Sequence, residues 1–168
     1  MATIAGVLKA RSLIVNFLEI PATPDPTYNR MQGYTSMTTS KNAKEYSRQY
    51  VDEETERTDV TGFSPSIEFG FDRFAGNPTQ DYLAEIIDNE LTGTAATVNI
   101  LSADLSLDPS EEDNAFIRPY AVISNSEGDS FDAYTYSGSF ASKGPKTWGK
   151  ATVAADGLTT TWTPTVTP

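Results

Sequence analysis

The 168-residue sequence contains no cysteine and no histidine. The lack of cysteine excludes disulfide bonds and thiolate metal sites, and the lack of histidine removes the commonest general base and most zinc chemistry. No apolar run approaches the ~20 residues that span a bilayer, and the N-terminus lacks the basic-then-apolar order of a signal peptide. We therefore expect a protein that is not an enzyme, uses no cofactor, does not enter a membrane and is made in the cytoplasm.

Basic residues are scarce, and the charge is unevenly distributed along the chain. The net charge of −11 argues against a protein that grips nucleic acid or anionic lipid. Residues 1–51 carry a net +3, residues 52–132 a net −16 and residues 133–168 a net +2. Basic ends on an acidic middle favour docking between copies of the chain, because complementary potentials guide association. The competing interpretation is a chance distribution that serves solubility.

The composition favours one β-rich domain over residues 1–168. A chain of this length buries about two thirds of its surface on folding, which is enough for a real core. The sequence contains 22 Thr, 15 Ser, 8 Tyr and 8 Phe, which favour strands, and Gly and Pro punctuate them. About seven strands and one helix can be counted, which predicts a β-sandwich or small barrel with one flanking α-helix.

The clearest strand signal is the alternation in Ser66–Asp72, where Ile67, Phe69 and Phe71 face the core. A phase slip predicts a β-bulge at residues 100–101. A two-residue type I′ turn is predicted at Asp156-Gly157. Further strands are predicted at residues 12–20, 97–107, 115–124, 131–142, 150–155 and 158–162.

One helix is predicted to begin at residues 77–80. Asn77 suits the N-cap position, Pro78 the first turn, and Gln80 the third position of a capping box. Gly93 is predicted to end the helix. The apolar stripe of this helix is formed by Tyr82, Leu83, Ile86, Ile87 and Leu91.

Residues 21–57 are predicted to form a long projecting loop, since Pro and Gly interrupt any apolar period and leave no core face. Residues 46–61 are predicted to form a ribbon of two arms with an acidic tip. In residues 163–168 Thr and Pro alternate, a pattern that predicts an extended C-terminal tail. We expect the charged residues of the loop to contact other subunits. They are Lys41, Lys44, Glu45, Arg48, Asp52, Glu53, Glu54, Glu56 and Arg57.

Three patterns were weighed for chemistry. Glu68 and Asp72 share a strand face about 13 Å apart, beyond the roughly 5 to 9.5 Å of a glycosidase pair. The acidic segment 108–113 carries oxygen ligands for Ca²⁺ but lacks the order of an EF-hand, so a solvated turn is favoured. The aromatic side chains of one strand form either a sugar-stacking platform or, as such spacing more often indicates, part of a core or subunit seam. These aromatic residues are Tyr134, Tyr136 and Phe140.

Two stretches resemble a known family. Residues 50–72 read YVDEETERTDVTGFSPSIEFGFD, and residues 117–144 read IRPYAVISNSEGDSFDAYTYSGSFASKG. With the helix between them, they resemble the major tail proteins, or tail tube proteins, of long-tailed phages of Gram-positive bacteria, over roughly residues 40–163. The motifs are structural and not catalytic.

The resemblance implies a structural virion protein that forms hexameric rings stacked into a hollow tube. DNA passes through such a tube without specific binding, and the implied partners are the tape measure, tail terminator and distal tail proteins. The subunit is assembled in the host cytoplasm and resides in the virion tail. The acids expected to face the lumen are Glu68 and Asp72 first, and Asp104 and Asp132 second, with the outer surface or subunit seams as the other placement. A carbohydrate-binding or adhesin-like β-sandwich is the alternative function.

Overall fold

The structure is a computed structural model that describes residues 6–128 and 130–165. This part of the chain contains eleven strands, one α-helix and two 3-10 turns. The strands are β1 Ile14–Ile20, β2 Thr27–Arg30, β3 Tyr34–Ser40, β4 Ala43–Arg48, β5 Arg57–Phe63, β6 Ser66–Asp72, β7 Thr97–Asp104, β8 Ala115–Glu127, β9 Thr135–Ser142, β10 Thr147–Val153 and β11 Thr159–Pro164. The helix is α1 Pro78–Asp88, and the 3-10 turns are Arg11–Leu13 and Gly93–Ala96. The predicted mainly β fold with one helix is confirmed.

The chain folds into two compact units. In the first, which holds residues 6–31, 99–118 and 146–165, the strand order is β7–β1–β2–β11–β10–β8. Because β8 pairs with β10 and is also the neighbour of β7, this order closes on itself. The first unit is therefore the barrel-like part of the predicted fold.

Alternation along β1 builds the core of the first unit. Val15 and Phe17 are buried, and both pack in one apolar cluster with residues of β7, β8 and β10. The approach of β10 to β11 requires Gly149, since a Cβ there would lie 2.3 Å from the carbonyl oxygen of Thr163. The other buried members of the cluster are Leu101, Ala103, Ala115 and Ala151.

The second unit holds the remaining described residues, and its main sheet has the antiparallel order β8–β9–β6–β3. Its core is aromatic: the Phe69 and Phe140 rings stack at 4.4 Å, and those of Phe71 and Tyr136 at 5.2 Å. At Gly138 a Cβ would lie 2.2 Å from the carbonyl oxygen of a residue on β8, so β8 and β9 approach too closely for any side chain there.

Helix α1 begins as predicted, because the Asn77 side chain accepts hydrogen bonds from the backbone N–H groups of Thr79 and Gln80. The capping-box role of Gln80 is wrong: its buried amide accepts from the Phe74 N–H at 2.7 Å and donates to the Gln32 carbonyl at 3.2 Å. The helix also ends at Asp88, before Gly93.

Parts of the predicted loops are strands. Residues 27–30 and 34–40 form β2 and β3, so the expectation that residues 21–57 form a loop is wrong for these two segments, although no residue of either strand is fully buried. Thr163 and Pro164 pair with β10, so these two residues belong to β11 and not to the predicted extended tail; residues 166–168 lie outside the described residues.

Two local expectations are also wrong. The β1–β7 register runs without a shift through Ile100 and Leu101, so no bulge is needed there. Both residues are buried although their side chains alternate, which explains the apparent phase slip. The turn between β10 and β11 has a positive φ at Gly157 but not at Asp156, whereas a type I′ turn needs both.

Candidate assembly surfaces

Strands β4 and β5 form a two-stranded antiparallel sheet of their own within the second unit. We call this hairpin, residues 43–63, the arm. Its register runs from Ala43 opposite Phe63 at the base to Arg48 opposite Arg57 beside the tip. Every residue of β4 is exposed, and so is every residue of β5 except Gly62. The predicted ribbon with an acidic tip is confirmed.

The base of the arm is fixed by polar contacts. Asn42 lies in the left-handed region at φ 47°, and its side-chain amide donates to the Ser64 carbonyl at 3.0 Å and to the Ser66 hydroxyl at 3.1 Å. The Ser64 N–H donates back to the Asn42 carbonyl at 3.1 Å. The two ends of the arm are thus held together independently of the arm itself.

The tip of the arm is an ordered turn. The Gln49 amide donates to the carbonyl oxygens of Glu53 at 3.2 Å and Glu54 at 3.4 Å, and Arg57 forms an ion pair with Glu53. Of the predicted contact acids, Glu53 therefore has an internal partner. The other tip carboxylates, Asp52, Glu54 and Glu56, are exposed.

The arm also exposes large apolar side chains, and Val51 at the tip is fully exposed. An isolated two-stranded hairpin is at best marginally stable in water, and exposed apolar surface commonly marks interaction sites. The arm is therefore a surface suited to a protein partner. Its other exposed apolar residues are Tyr46, Tyr50, Val60 and Phe63.

Two guanidinium groups stand opposite each other on the arm. Arg48 pairs directly across from Arg57, an arrangement of like charges that is unfavourable in a hairpin. Arg48 donates to the Tyr46 hydroxyl at 3.2 Å. The pair creates a cationic band next to the acidic tip, which suits a partner that carries both signs of charge.

The remaining predicted contact residues lie at or just before the base of the arm. Lys41 precedes the arm and is exposed. Lys44 and Glu45 flank the register shift in β4, where the Thr61 hydroxyl donates to the Lys44 carbonyl at 3.1 Å. The arm thus brings eight of the nine predicted contact residues onto one hairpin.

Glu68 and Asp72 lie on the face of β6 that points away from the aromatic core. Glu68 is exposed and Asp72 is partly exposed. On the neighbouring strands the residues aligned with this face are small or hydroxyl-bearing, with Ile123 as the large exception, and none is Lys or Arg. They are Ser36, Thr38, Ser40, Ala121, Ile123, Ser126, Thr135, Ser137, Ser139 and Ala141. We call this surface the hydroxyl face.

The other two predicted lumen acids lie elsewhere. Asp132 is exposed in the loop between β8 and β9, and not on a strand as expected, because β9 begins only at Thr135. Asp104 ends β7 in the first unit and forms an ion pair with Lys9. Hydrogen bonds from Lys9 and Ser106 lower the pKa of Asp104 to about 2.

The aromatic strand face does not form a sugar platform. Phe140 and Tyr136 are buried in the core of the second unit, and only Tyr134 is exposed. The Tyr136 hydroxyl donates to Asp88 at 3.0 Å, and burial together with this carboxylate raises the pKa of Tyr136 to about 12. The core interpretation of these aromatics is confirmed for two of the three.

An aromatic patch on the first unit had no signal in the sequence. The ring of Trp148 meets that of Phe116 edge-on at 5.2 Å, and the Lys146 ammonium lies 4.0 Å from the centre of the Phe116 ring. Trp148 is half exposed. These residues come from strands β8 and β10 and their flanks, so only the β8–β10 pairing reveals the patch.

Within residues 6–128 and 130–165, no helix is long and apolar enough to cross a membrane. No protein-family model and no curated protein matches the sequence. Solved structures do match. One similar chain comes from the tail of an empty gene transfer agent particle with C6 symmetry, with TM-score 0.60 and 12% identity over 84% of this chain and 98% of that one.

This chain shares its fold with a component of a gene transfer agent tail. A second similar chain comes from the virion of the native gene transfer agent particle, with TM-score 0.58 and 12% identity over 84% of this chain and 98% of that chain. At this identity the likeness concerns the fold. It covers nearly the whole of each matched chain.

Proposed function

We propose that this protein is the subunit of a phage-type tail tube: it assembles into hexameric rings that stack into a hollow tube for genome delivery. The observation that carries the proposal is the shared fold with a chain of a six-fold symmetric tail. The arm supports it independently, because it exposes apolar and charged residues on a hairpin that has no second layer of its own. Head-to-tail contacts between identical subunits generate rings where the rotation closes and open stacks where it does not.

The arm is the proposed contact between successive rings. Its cationic band of Arg48 and Arg57 and its acidic tip give it a charge pattern that can fix register on an adjacent subunit. Its exposed apolar residues supply the burial that stabilises the contact. Eight of the nine predicted contact residues thus act through one hairpin, with Lys41 just before it and Glu53 holding the tip together through Arg57.

The hydroxyl face is the proposed wall of the lumen. It presents Glu68 and Asp72 among Ser, Thr and Ala, with no basic side chain aligned on it. Such a wall repels phosphates and offers no counterion-releasing contact, so DNA passes without specific binding. Asp104 is the weaker candidate for this role, because Lys9 already compensates its charge.

The chain has its place in the virion tail, where the proposed neighbours of the tube are the tape measure, tail terminator and distal tail proteins. These assignments follow from the proposed tube and from the sequence resemblance of residues 50–72 and 117–144.

Electron microscopy of purified protein at high concentration tests the proposal. We expect rings or tubes of uniform diameter. A monodisperse monomer under all conditions that preserve the fold would contradict the proposed function.

An arm deletion tests the contact between rings. Residues 43–63 are replaced by two glycines, since the Asn42–Ser64 hydrogen bond already holds the ends together. The expected product is a folded protein that forms single rings but no stacks, whereas normal tubes would refute the role of the arm. A matched control keeps the arm and removes only the charge of its tip, through Asp52→Asn with Glu54→Gln and Glu56→Gln. Comparing the two variants separates the effect of the tip charge from the effect of the apolar contact.

A further inference from the structure

The N-terminal segment, residues 6–10, displays two apolar side chains that are almost fully exposed. Val7 and Leu8 are each 97% exposed. The next residue, Lys9, is fixed to Asp104 by an ion pair, and the chain then enters the 3-10 turn Arg11–Leu13. The segment is therefore anchored at its inner end while its apolar part is presented to the surroundings.

A cavity of about 230 Å³ lies in the same unit, next to this anchor. The half-exposed ring of Trp148 and the Phe116 ring form part of its wall. Two carboxylates, Asp104 and Asp113, also line it. At ~30 Å³ for each water in the liquid, the volume corresponds to several water molecules, enough space for an aliphatic side chain. The other lining residues are Ile14, Ser102, Ala103, Leu107 and Asn114.

Hydrogen bonds hold Asn114, one of the residues that line the cavity. The buried amide of Asn114 donates to the Ala151 carbonyl at 2.9 Å and accepts from the Ala151 N–H at 2.8 Å, and the Asn114 carbonyl accepts from the Asp104 N–H at 2.8 Å. Asn114 is therefore ordered before an occupant enters, which lowers the entropy lost on binding.

We propose that Val7 and Leu8 of a second copy of this chain occupy the cavity lined by Phe116 and Trp148. The subunit then carries both halves of a head-to-tail contact, an apolar segment and a receiving cavity, as a closed ring requires. Charge does not oppose the pairing: of the two carboxylates in the cavity wall, Asp104 is paired with the chain's own Lys9 and Asp113 accepts a hydrogen bond from Thr165, so the entering segment meets the aromatic rings with apolar side chains alone. The inference rests on the proposed ring, since it names a contact within it.

Single-cysteine variants test the proposal, because the natural chain has no cysteine. One preparation carries Leu8→Cys, the other Leu107→Cys in the cavity wall, and the two are mixed under ring-forming conditions and oxidised. A disulfide in this mixture can join only different copies, and a mass tag on one preparation separates the heterodimer from both homodimers on non-reducing gels, where we expect the heterodimer band. In the matched control, Leu8→Cys is mixed with Asp156→Cys, which is exposed in the β10–β11 turn, and at least tenfold less heterodimer is expected.

Each outcome is decisive. Absence of the Leu8–Leu107 heterodimer in a sample that forms rings would overturn the inference and leave the proposed function standing. Heterodimer without rings or tubes would support the contact and refute the tube. A disulfide that forms only within one chain of the Leu8→Cys, Leu107→Cys double variant would show that the segment fills its own cavity, which overturns the inference. Equal heterodimer yield in the Asp156→Cys control would overturn it as well.

Discussion

In the proposed tube, reversing the charge of the hydroxyl face should convert a wall that repels DNA into one that retains it. The perturbation is Glu68→Lys with Asp72→Lys. Both side chains point away from the aromatic core and Glu68 is exposed, so the fold should tolerate the exchange. The subunit charge changes from −11 to −7, and a ring of six changes from −66 to −42. At the two substituted positions alone, twelve negative charges per ring become twelve positive ones.

The magnitude of the effect follows from counterion release. Each phosphate neutralised by a lysine adds about 0.9 to the salt slope of log K for duplex DNA, so a few contacts per ring change the affinity by orders of magnitude at low salt. Screening weakens the effect as the Debye length falls from ~10 Å at 0.1 M salt to ~3 Å at 1 M. The variant tubes should therefore retain DNA at low salt and release it at high salt.

The assay is co-sedimentation of short duplex DNA with assembled tubes over a range of NaCl concentrations, with nuclease protection to separate lumen from outer surface. The control is Glu111→Lys with Glu112→Lys, which makes the same change in net charge on an exposed turn. We expect protected DNA only with the Glu68 and Asp72 variant, and slowed DNA ejection from particles that carry it. Equal retention by both variants, or unprotected DNA alone, would refute the placement of the hydroxyl face in the lumen.

Three further predictions concern the subunit itself. Ile86→Asp should unfold the subunit, because Ile86 is only 4% exposed in the apolar stripe of α1 and an aspartate there would bury an unpaired charge at a cost of several kcal/mol. The control Glu85→Ala, on the exposed face of the helix, should change the melting temperature by no more than about a degree or two. Gly138→Ala should lower the unfolding midpoint in urea, since its Cβ would meet a backbone oxygen at 2.2 Å and force β8 from β9; a midpoint equal to that of the natural protein would contradict the close approach. Asp104→Asn should lower the free energy of unfolding near neutral pH, and this loss should disappear as the pH falls toward 2. The pKa of Asp104 is about 2 in the folded protein and near 4 in the unfolded chain. The ion pair therefore stabilises the fold fully above pH 4, and its contribution is lost as Asp104 is protonated. A stability difference that does not change between pH 6 and pH 2 would exclude this linkage.

The elements predicted correctly are those whose signals lie within a short stretch of the sequence. The alternation of Ile67, Phe69 and Phe71 located β6, and the Asn77 cap located the start of α1. The arm was predicted because its strands are neighbours in sequence and its tip is marked by charge. The end of the helix was predicted too late, at Gly93. The chain leaves the helix through Glu90, whose φ of 50° lies in the left-handed region that glycine usually occupies.

Elements that depend on distant pairing were missed. Strand β3 is at the edge of its sheet and pairs only with β6, so it needs few apolar residues and its Ser and Thr resemble a loop. Strand β2 has four residues between prolines and glycine, too few for a period. The cavity of the first unit collects side chains from segments near residues 14, 102–107, 113–116 and 148, and no window of sequence contains them together.

A tube needs two different contacts from every subunit, one that closes within a ring and one that stays open along the axis. A single exposed apolar feature could serve only one of these directions. Among the exposed apolar features of the described residues, two on separate parts of the sequence are the ones proposed for these contacts: the arm at residues 43–63 and the N-terminal segment with Val7 and Leu8. The first carries an acidic tip beside a cationic band, and the second carries Lys9 next to a cavity with two carboxylates. In the proposed tube each contact has its own charge pattern, which lets a subunit distinguish a neighbour in its ring from one in the next ring.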